Sequence, residues 1–383
     1  MGVPAFEKRV IGELRNDVGG GAMNTLCIVG DVNADGRPDV VVSGRNGRMA
    51  WFENPGRPGT GPWTMHPIDR VRDLECGGLV RDLDGDGWGD IIDGGDYRSD
   101  ELSWWRNPGP AGGPWSRHVI ARTGSRQFHD ELVADVAGDG RPSLVFWNQG
   151  AGALHHVPLP PDPTVTPWPG IARIASGRRE DGQAEEGLAA ADLDGDGAIE
   201  IVAGTHWYRR EPGGWEGHRF ARGYITTKVA VGDLDGDGLL EIVLSEGDAC
   251  IYGRPQGGRL AWFQRGADMR APWVEHEVEA GLLDPHTLQV ADLCGHGRLD
   301  LLVGEIGLAG GSPGRTPRLL IYENDGRGGF VPHVVDEGSG THNAVLVDLY
   351  GRGAPDIVGR PLHGPEKWQI HVFERTPGFT AAG

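Results

Sequence analysis

Four carboxylates lie within nine positions of the segment ADLDGDGAIEIVAG, at Asp192, Asp194, Asp196 and Glu200. In the pattern D-x-D-G-D-G, the acids at positions 1, 3 and 5 turn inward, the glycine at position 6 permits a sharp turn, and an acid at position 9 supplies a further oxygen. Such a cluster of oxygen ligands suits a hard cation such as Ca²⁺ better than a thiophilic metal. Because the chain already carries a net charge of −19, this crowding of negative charge predicts a loop that holds a cation.

This loop occurs seven times, starting at Asp31, Asp82, Asp135, Asp192, Asp233, Asp292 and Asp348. Since the number of charged ligands sets the affinity for Ca²⁺, the copies with a full set are predicted to bind it. Three copies have the full set, with the ligands Asp82, Asp84, Asp86 and Asp90; Asp192, Asp194, Asp196 and Glu200; and Asp233, Asp235, Asp237 and Glu241. The first copy, which uses Asn33 with Asp31, Asp35 and Asp39, is also predicted to bind Ca²⁺. The third, sixth and seventh copies replace acids, for example by Ala137, Cys294 and Arg352, and are predicted to be empty. The alternative is that even the full loops are plain turns closed by hydrogen bonds between aspartate and the backbone.

The spacing of the loops predicts the elements that carry them. Asp31 and Asp348 are 317 residues apart over six intervals, or about 53 residues per repeat, which is typical of a four-stranded propeller blade. An apolar strand such as VAVGD precedes each loop, and a second such as EIVAG follows it. A third strand carries paired aromatic residues, as in MAWFENPG, and a fourth reads W-x-x-H, as in WTMHPI. The chain is therefore predicted to be all-β, with residues 1–383 forming one seven-bladed β-propeller domain of four-stranded antiparallel blades.

The two ends of the chain predict how the ring of blades closes. The N-terminal segment FEKRVI matches the fourth strand of a blade, whereas the C-terminal segment IHVFERTPG matches the third. The N-terminal strand is therefore expected to complete the seventh blade, which ties the termini together and leaves no sheet edge unpaired.

The composition excludes several classes of function. The 65 glycines, 27 prolines and 13 tryptophans in a chain that is 38% hydrophobic indicate a globular β protein with many turns. The excess of 55 acidic over 36 basic residues disfavours nucleic acid as a partner. No apolar run approaches 18 residues, so no membrane span is predicted. The N-terminus lacks a signal peptide, which predicts a cytoplasmic protein unless a leader was trimmed.

The repeats resemble a known group of propellers. The phased D-x-D-G-D-G loops are similar to those of FG-GAP and VCBS repeat propellers, whose relatives include integrin α-subunit heads. No Phe-Gly pair occurs in the chain, so the integrin form of the signature is absent. WFENPG combined with W-x-x-H-x-I also resembles the propellers of aldos-2-ulose dehydratases and rhamnose–glucuronate lyases. That resemblance implies a sugar-eliminating enzyme with a metal-assisted site on one face of the propeller.

The repeat also separates structural from functional histidines. A histidine three residues after the Trp or Phe of the fourth strand recurs in five blades and is predicted to be structural: His66, His118, His218, His276 and His333. By contrast, the position six residues before each loop varies, and the innermost strands should bring these residues together at the mouth of the central channel. They are Thr25, Cys76, His129, Glu186, Thr227, His286 and His342, with Lys228 next along in the fifth blade.

The connections that open on the same face add variable polar and aromatic residues. Those predicted to bind a substrate are Tyr97, Arg98, Trp147, His206, Trp207, Tyr224, Tyr252, Arg360, His363 and Trp368. Aromatic faces that stack on sugar rings, together with polar groups that fix orientation, suit a carbohydrate or a sugar-derived small molecule.

Two functions are compatible with these residues. In the first, the channel catalyses β-elimination on a uronate- or keto-sugar-type carbohydrate, with His129, His286 or His342 as the base or as ligands of Zn²⁺ or another divalent ion. Glu186 and Lys228 complete the predicted catalytic set, and Lys228 or Arg360 clamps an anionic group. Blade 3 lies across the ring from blades 6 and 7, which leaves open whether one ion can reach all three histidines. In the second, the same funnel binds a carbohydrate or a protein without catalysis.

Overall fold

The computed structural model describes residues 2–16, 23–70, 73–176, 186–307 and 314–376. Within these ranges the chain forms 28 β-strands and one 3₁₀-helix, Gly109–Ala111. The strands make seven antiparallel sheets of four, arranged in a ring, which confirms the predicted seven-bladed β-propeller. None of the described helical residues forms a segment long and apolar enough to cross a bilayer.

The chain enters through β1 (Phe6–Glu13) and then builds the blades in order, each from the axis outward. The strands of the first three blades are β2 (Met23–Gly30), β3 (Asp39–Arg45), β4 (Met49–Glu53) and β5 (Thr64–Asp69); β6 (Leu79–Arg81), β7 (Asp90–Gly94), β8 (Glu101–Arg106) and β9 (Ser116–Arg122); and β10 (Phe128–Ala134), β11 (Ser143–Asn148), β12 (Ala153–Pro158) and β13 (Ala172–Ser176). The strands of blades 4 and 5 are β14 (Leu188–Ala191), β15 (Glu200–Ala203), β16 (His206–Glu211) and β17 (Gly214–Arg219); and β18 (Thr227–Gly232), β19 (Glu241–Glu246), β20 (Gly258–Gln264) and β21 (Val274–Leu282). Those of blades 6 and 7 are β22 (Pro285–Ala291), β23 (Asp300–Glu305), β24 (Arg318–Asn324) and β25 (Phe330–Glu337); and β26 (His342–Val347), β27 (Asp356–Arg360) and β28 (Gln369–Arg375). The four strands of a blade are called A to D from the axis outward.

The N-terminal strand closes the ring, as predicted. β1 pairs antiparallel with β28 from Phe6 opposite Arg375 to Glu13 opposite Gln369, and so forms strand D of blade 7. The first and last segments of the chain therefore belong to the same sheet.

The hydrophobic core is divided into seven layers, and each layer lies between two neighbouring blades. The layer between blades 7 and 1, for example, contains Ile11, Val40, Phe52, Val358 and Val372, all at most 1% exposed. The B strands are buried on both faces, and their Val, Ile and Leu side chains enter the two adjoining layers alternately. Stability of every blade therefore depends on both neighbours.

The strand-D histidines lie where a structural role requires them. The imidazole of His66 stacks on Trp51 with ring centroids 4.2 Å apart, and His276 stacks on Trp262 at 4.0 Å. Blades 2 and 4 repeat this contact, through His118 on Trp104 and His218 on Trp207. Each histidine thus covers the tryptophan of strand C in its own blade.

Truncating one buried aliphatic side chain of β1 should destabilise the packing of blade 7 against blade 1. Ile11 is 1% exposed, whereas its neighbour Val10 is 44% exposed. Ile11→Ala is expected to lower the free energy of unfolding by about 2–5 kcal/mol because it opens a cavity between blades 7 and 1. Val10→Ala, on the same strand, should change it by less than about 0.5 kcal/mol. Urea denaturation measures both, and equal midpoints for the two variants would contradict closure by this strand.

Two buried histidines should make the fold sensitive to acid. Burial, aided by the charge of Arg173, lowers the pKa of His155 to about 4, and burial, aided by Lys8, lowers the pKa of His371 to about 4. In the unfolded chain these groups titrate near 6.5, so between pH 6.5 and 4 the unfolded state binds protons that the folded state does not. Stability is therefore full above pH 6.5 and is lost as the pH falls, by at most about 3 kcal/mol for each histidine.

Denaturation curves at pH 7 and pH 5 test this expectation. His371→Gln cannot titrate, so its stability should fall less than that of the unmodified protein between the two pH values. An identical fall in both proteins would show that His371 does not contribute.

Candidate functional site

The inner strands begin with irregular backbone that turns side chains toward the axis. The pairing register shifts between His129 and Glu131 in blade 3 and between His342 and Val345 in blade 7, as it does at a β-bulge. Asp130 and Asn343, which follow the two histidines, have φ of 49° and 52°, values that residues other than glycine rarely adopt. Such strained positions are typical of functional sites.

Three of the predicted catalytic residues meet on the axis. Oε2 of Glu186 lies 3.6 Å from Nε2 of His129 and 3.4 Å from Nε2 of His286, and all three side chains are buried. Blades 3, 4 and 6 therefore contribute to one cluster, which we call the axial triad. The channel is narrow enough for blades 3 and 6 to reach across it, so the geometry allows one ion to contact both histidines.

Hydrogen bonds fix which ring nitrogens face the centre of the triad. Nδ1 of His129 lies 2.8 Å from Oδ2 of Asp130, and Nδ1 of His286 lies 3.2 Å from Oδ1 of Asn343. Both oxygens are acceptors, so both Nδ1 atoms carry the proton in the neutral rings. If both rings were neutral, each Nε2 would direct a lone pair at the carboxylate of Glu186. Three electron-rich atoms at this distance repel one another unless a proton or a metal cation lies among them.

The triad is embedded in a network of charges. Nζ of Lys228 lies 3.4 Å from Oε2 of Glu186 and 3.3 Å from Oδ1 of Asp130. Burial alone would raise the pKa of Glu186, but the charges of His129 and Lys228 and the hydrogen bond with His286 hold it well below its usual range. Burial lowers the pKa of His286 to about 4, and Lys228 adds to that effect. At neutral pH the centre therefore contains ionised Glu186 and neutral His286.

Cys76 joins this network from blade 2. Its Sγ lies 2.5 Å from Nε2 of His129, on the same nitrogen that faces Glu186. Burial raises the pKa of the Cys76 thiol to about 11, although His129 opposes that shift. For His129, burial would lower the pKa, but the charges of Cys76 and Glu186 outweigh it and hold the pKa well above its usual range.

His342 presents a hydrogen-bond donor rather than a base. Nη2 of Arg360 lies 3.3 Å from Nδ1 of His342, and a guanidinium can only donate, so Nδ1 is the acceptor and Nε2 carries the proton. Burial and the neighbouring charge of His286 lower the pKa of His342 well below its usual range, so the ring stays neutral. His342 also stacks on His286 with ring centroids 4.3 Å apart.

Two cavities adjoin the axial triad, and His286 lines both. The first has a volume of about 270 Å³ and is lined by polar groups from several blades, including Glu75, Cys76, His129, Glu186 and Asp248. The second has a volume of about 220 Å³ and contains Asp130, Glu131 and Lys228. A wider opening of about 680 Å³ at the loop end of the channel is lined mainly by aliphatic side chains. The first cavity, which we call the funnel, is the one that combines access with reactive groups.

The wall of the funnel offers an accessible acid and an anchoring cation. Asp248 is half-buried, and burial, helped by the charge of Glu186, raises its pKa to about 8. Arg45 lies on the opposite wall and pairs with Glu75 and, at 3.6 Å, with Asp96. Tyr252, 42% exposed, stands at the mouth.

Of the residues predicted to bind substrate, Tyr252 and His363 line the funnel. Tyr97, 47% exposed, lies beside it, with the guanidinium of Arg45 5.3 Å from the ring centroid and that of Arg98 at 5.0 Å. Arg98 itself is engaged by Asp73 and Asp96. Arg360 is fully buried behind His342.

Three of the predicted aromatic contacts lie in the interior instead, and this corrects the sequence-based expectation. The indole of Trp147 is 3% exposed and donates a hydrogen bond to the carbonyl of Gly187. Trp207 is 2% exposed beneath His218, and Tyr224 is 1% exposed in the layer between blades 4 and 5. Their large apolar surfaces are more stable in the core than at the funnel, because the inter-blade layers need bulky side chains.

Two further predicted residues also lie outside the funnel. His206 is half-buried beside Thr205 and stacks on Tyr208 in blade 4. Trp368 is half-buried under the ammonium group of Lys367, which is 4.7 Å from its ring centroid.

Sequence reasoning missed several residues of the site. Asp130 follows His129 directly in the chain, and this adjacency was the feature of the sequence from which its hydrogen bond to His129 could have been predicted. Cys76 was recognised as a channel residue but not as a partner of His129. Nothing in the sequence separates Asp248 from Glu246 in the segment SEGDACIY, yet Asp248 lines the funnel whereas Glu246 is buried against Arg254 and Arg259.

The acidic loops lie at the other end of the inner strands. In each complete loop the first aspartate accepts backbone hydrogen bonds, as Asp233 does from Gly236 and Gly238. The ninth position distinguishes the loops. The carboxylates of Asp39 and Asp90 use both oxygens on backbone N–H groups, whereas Glu200 and Glu241 each keep a buried Oε1 without a hydrogen bond. An unpartnered buried carboxylate oxygen that faces other acids is the donor set a hard cation requires.

Arginines contact the acids of three of the four predicted Ca²⁺ loops; in blade 1 the contact is between Arg37 and Asp35. Arg209 of strand C contacts Asp194 and Asp196 in blade 4, and Arg106 occupies the equivalent position in blade 2, where it contacts Asp84. In blade 5 the equivalent residue is Gln264, whose amide donates to Asp235 at 2.7 Å. The fifth loop thus keeps its full negative charge, whereas those of blades 2 and 4 are partly neutralised by the protein.

Comparison with known proteins agrees with this architecture. Residues 31–92 and 192–244 match the FG-GAP-like repeat. No curated protein sequence matches the chain. The rhamnogalacturonan lyase YesW is 16% identical over 97% of this chain and 76% of its own, with a TM-score of 0.55, and the Bacillus licheniformis rhamnogalacturonan lyase PL11 is 15% identical over the same shares at 0.54. BBS1N, solved in complex with ARL6DN, is 12% identical over 97% of this chain and 99% of its own, with a TM-score of 0.55. The chain is thus a seven-bladed β-propeller in which two segments match FG-GAP-like repeats.

Proposed function

We propose that the funnel binds a carbohydrate and catalyses β-elimination on a sugar that carries a carboxylate or a carbonyl group. The observation that supports this most is the convergence of residues from all seven blades on one cavity that contains the axial triad. A repeat protein that bound one ligand per blade would keep matching residues in each repeat. Here the seven equivalent positions hold four residue types, namely three histidines, two threonines, a cysteine and a glutamate, so a single asymmetric site is the better explanation.

Elimination needs a base beside the acidic C–H bond and positive groups beside the oxygen that becomes negative. Asp248 is the accessible acid on the funnel wall, and its ionised form, which predominates above its pKa of about 8, would accept the proton. The Nε2–H group of His342 would donate a hydrogen bond to the developing oxyanion, and Arg45 would hold an anionic group of the substrate. The base predicted from sequence was a histidine, but His129 and His286 face Glu186 and His342 carries its proton toward the funnel.

The axial triad fits a divalent transition-metal ion. Two imidazoles and one carboxylate form a ligand set of the kind that catalytic zinc sites use, and Asp130 and Asn343 would serve as the outer partners of the histidines. For tetrahedral ligands at about 2.1 Å from the ion, the donor atoms would be about 3.4 Å apart, close to the 3.4 and 3.6 Å observed. When bound, such an ion would supply Lewis-acid stabilisation of the enolate.

The choice of a carbohydrate has two supports. Tyr97 and Tyr252 expose aromatic rings at the mouth, and charged groups lie within reach of them. The propellers of two rhamnogalacturonan lyases share this fold, although at 15–16% identity the likeness shows the fold alone. A volume of about 270 Å³ is at the small end of ligand sites and suits about one sugar ring at the base.

Asp248→Asn should abolish most of the activity. We expect the rise in ultraviolet absorbance that accompanies a new conjugated double bond when the protein is incubated with uronate-ended oligosaccharides or keto-sugars. Removing the base should lower kcat by roughly 10²–10⁴-fold with little change in KM. Glu277→Gln makes the same acid-to-amide change on the exposed outer strand of the same blade and should leave kcat unchanged.

If the propeller binds a sugar without catalysis, the sugars should bind but no new double bond should form. If a broad panel of these sugars gives no absorbance change, and calorimetry detects sugar binding that Asp248→Asn leaves intact, the propeller is a binding module. The exposed Ile251 and Tyr252 at the mouth, 55% and 42% exposed, are the feature that favours recognition. BBS1N shows that this fold occurs in a protein complex.

We also propose that the acidic loops bind Ca²⁺ and that the fifth loop binds it most tightly. Glu241 is fully buried with Oε1 unpartnered, and burial together with Asp235 and Asp237 raises its pKa to about 7. A cation would remove this unfavourable arrangement. In blades 2 and 4, Ca²⁺ would have to displace Arg106 or Arg209, so these loops should bind more weakly.

Calcium titration of chelator-treated protein tests this order. At 100 times the dissociation constant, Ca²⁺ should stabilise the fold by about 2.7 kcal/mol per site. Glu241→Gln should remove the tightest site, and Arg209→Gln should strengthen the fourth. Asp139→Asn changes an incomplete loop and is the matched control. A tightest site that survives Glu241→Gln would contradict the assignment.

A further inference from the structure

The sixth loop differs from the others in the type of its ligands rather than in their placement. Its sequence DLCGHGRLD puts Cys294 and His296 where complete loops have aspartates at positions 3 and 5, and it keeps Asp292 and Asp300 at positions 1 and 9. The loss of hard ligands predicted an empty loop. In the structure, however, the donor atoms of this loop still face one another.

Two overlapping groups of donors share His296. The sulfur of Cys294, a ring nitrogen of His296 and a carboxylate oxygen of Glu323 lie within 4.8 Å of one another, and so do donor atoms of Asp292, His296 and Asp300. Glu323 lies outside the loop, on strand C of the same blade. Oδ1 of Asp292 lies 3.6 Å from Nδ1 of His296, and Oδ1 of Asp300 lies 3.2 Å from Nε2.

The donors are shielded from water. Cys294 is 2% exposed and Asp300 is fully buried. The side chain of His296 is 11% exposed, and its Nε2 is buried without a hydrogen bond. A buried ring nitrogen without a hydrogen bond is costly unless it meets another partner.

No arginine of strand C enters this loop. Strand C places Arg106 and Arg209 over the loops of blades 2 and 4, whereas blade 6 has Glu323 at the equivalent position. Among the described residues, no lysine or arginine forms an ion pair with the carboxylates of the two donor groups. The nearest basic groups bind at the edges of the loop, where Arg375 donates to the carbonyl of Leu293 and Nε2 of His333 lies 3.1 Å from Oε2 of Glu323.

We propose that the sixth loop binds a borderline transition-metal ion such as Zn²⁺, through Cys294, His296 and carboxylate oxygens of Glu323 and either Asp292 or Asp300. Thiolate and imidazole select such ions over Ca²⁺, which takes oxygen ligands. The proposed site would take four protein ligands, three from the loop and one from strand C, which is the arrangement of structural rather than catalytic zinc. It is independent of the funnel, which lies at the other end of the inner strands.

Cobalt substitution tests the proposal, because Co²⁺ reports sulfur ligation directly. Metal-free protein titrated with Co²⁺ should develop a thiolate-to-cobalt charge-transfer absorption in the near ultraviolet. Cys294→Ser should abolish this absorption, and Glu323→Gln should lower the affinity at least about tenfold by removing a ligand outside the loop. Zn²⁺ should displace Co²⁺, whereas Ca²⁺ should not.

Cys76→Ser and Cys27→Ser are the matched controls. Cys76 lies beside the axial triad, so a charge-transfer band that disappears with Cys76→Ser but persists in Cys294→Ser would place the sulfur ligand in the funnel and overturn the proposal. Absence of any sulfur band from the Co²⁺ spectrum would also overturn it. All variants are compared by their thermal transitions, so that a misfolded protein is recognised.

A converted loop provides a second, independent measurement. Cys294→Asp combined with His296→Asp restores the acidic pattern of the complete loops. This variant should lose the sulfur band and gain one Ca²⁺ site in calorimetry. A double variant that gains no Ca²⁺ would show that the loop cannot assemble a metal site, and the proposal would fail.

Discussion

The antiparallel pairing of β1 with β28 is the constraint on which the rest of the molecule depends. Each inter-blade layer buries aliphatic and aromatic side chains of two neighbouring sheets, and no blade can cover both of its own faces. The seventh layer forms only if blade 7 is complete and meets blade 1. Closure therefore stabilises all seven layers together, and it also fixes the distances across the axis. A ring that opened by a few ångströms would separate His129 from His286.

Closure has an electrostatic consequence at the axis. The inner strands converge, so polar residues that lie far apart in the sequence are forced together and away from water. Burying charged groups is unfavourable unless they are paired, and here Glu186 is paired with Lys228 while Asp130 is paired with both His129 and Lys228. The pairing is incomplete, because two imidazoles face the same carboxylate oxygen and burial lowers the pKa of His286 to about 4, so that this ring carries no charge at neutral pH. Together with the positive φ of Asp130 and Asn343, this departure from good packing is what distinguishes a site from a core.

The fold could be predicted from the sequence because its signals are local and repeated. The period of the loops, the alternation of the strands and the match of FEKRVI to a fourth strand each depend on a few neighbouring residues. The site could be predicted only in part. The position six residues before each acidic loop identified His129, Glu186 and His286, because the innermost strands of all blades meet around the central channel. The partners of these residues depend on bulges and on the diameter of the channel, which no local pattern specifies. Tryptophans at the strand ends could equally line the mouth or fill a layer, and the structure places Trp147 and Trp207 in the layers.

The loops show how a repeat protein can vary its chemistry without changing its fold. Their backbone is held by aspartate at position 1 and by the ninth residue, which bonds the N–H of position 2 in blades 1, 2, 4 and 5. Apart from Tyr350, which packs against the layer between blades 7 and 1, the residues at positions 3 and 5 take no part in the hydrophobic layers, so these positions are free to change. The residue on strand C that covers the loop changes as well, from Arg209 to Gln264 to Glu323. The residues at positions 3 and 5 and the residue on strand C surround the same point. Three or four side chains therefore set the charge of each loop and decide whether its ligand atoms suit a hard or a borderline cation. The same fold can thus carry three kinds of loop. One is neutralised by an arginine of the chain, one keeps a negative charge that suits a hard cation, and one offers a thiol and an imidazole.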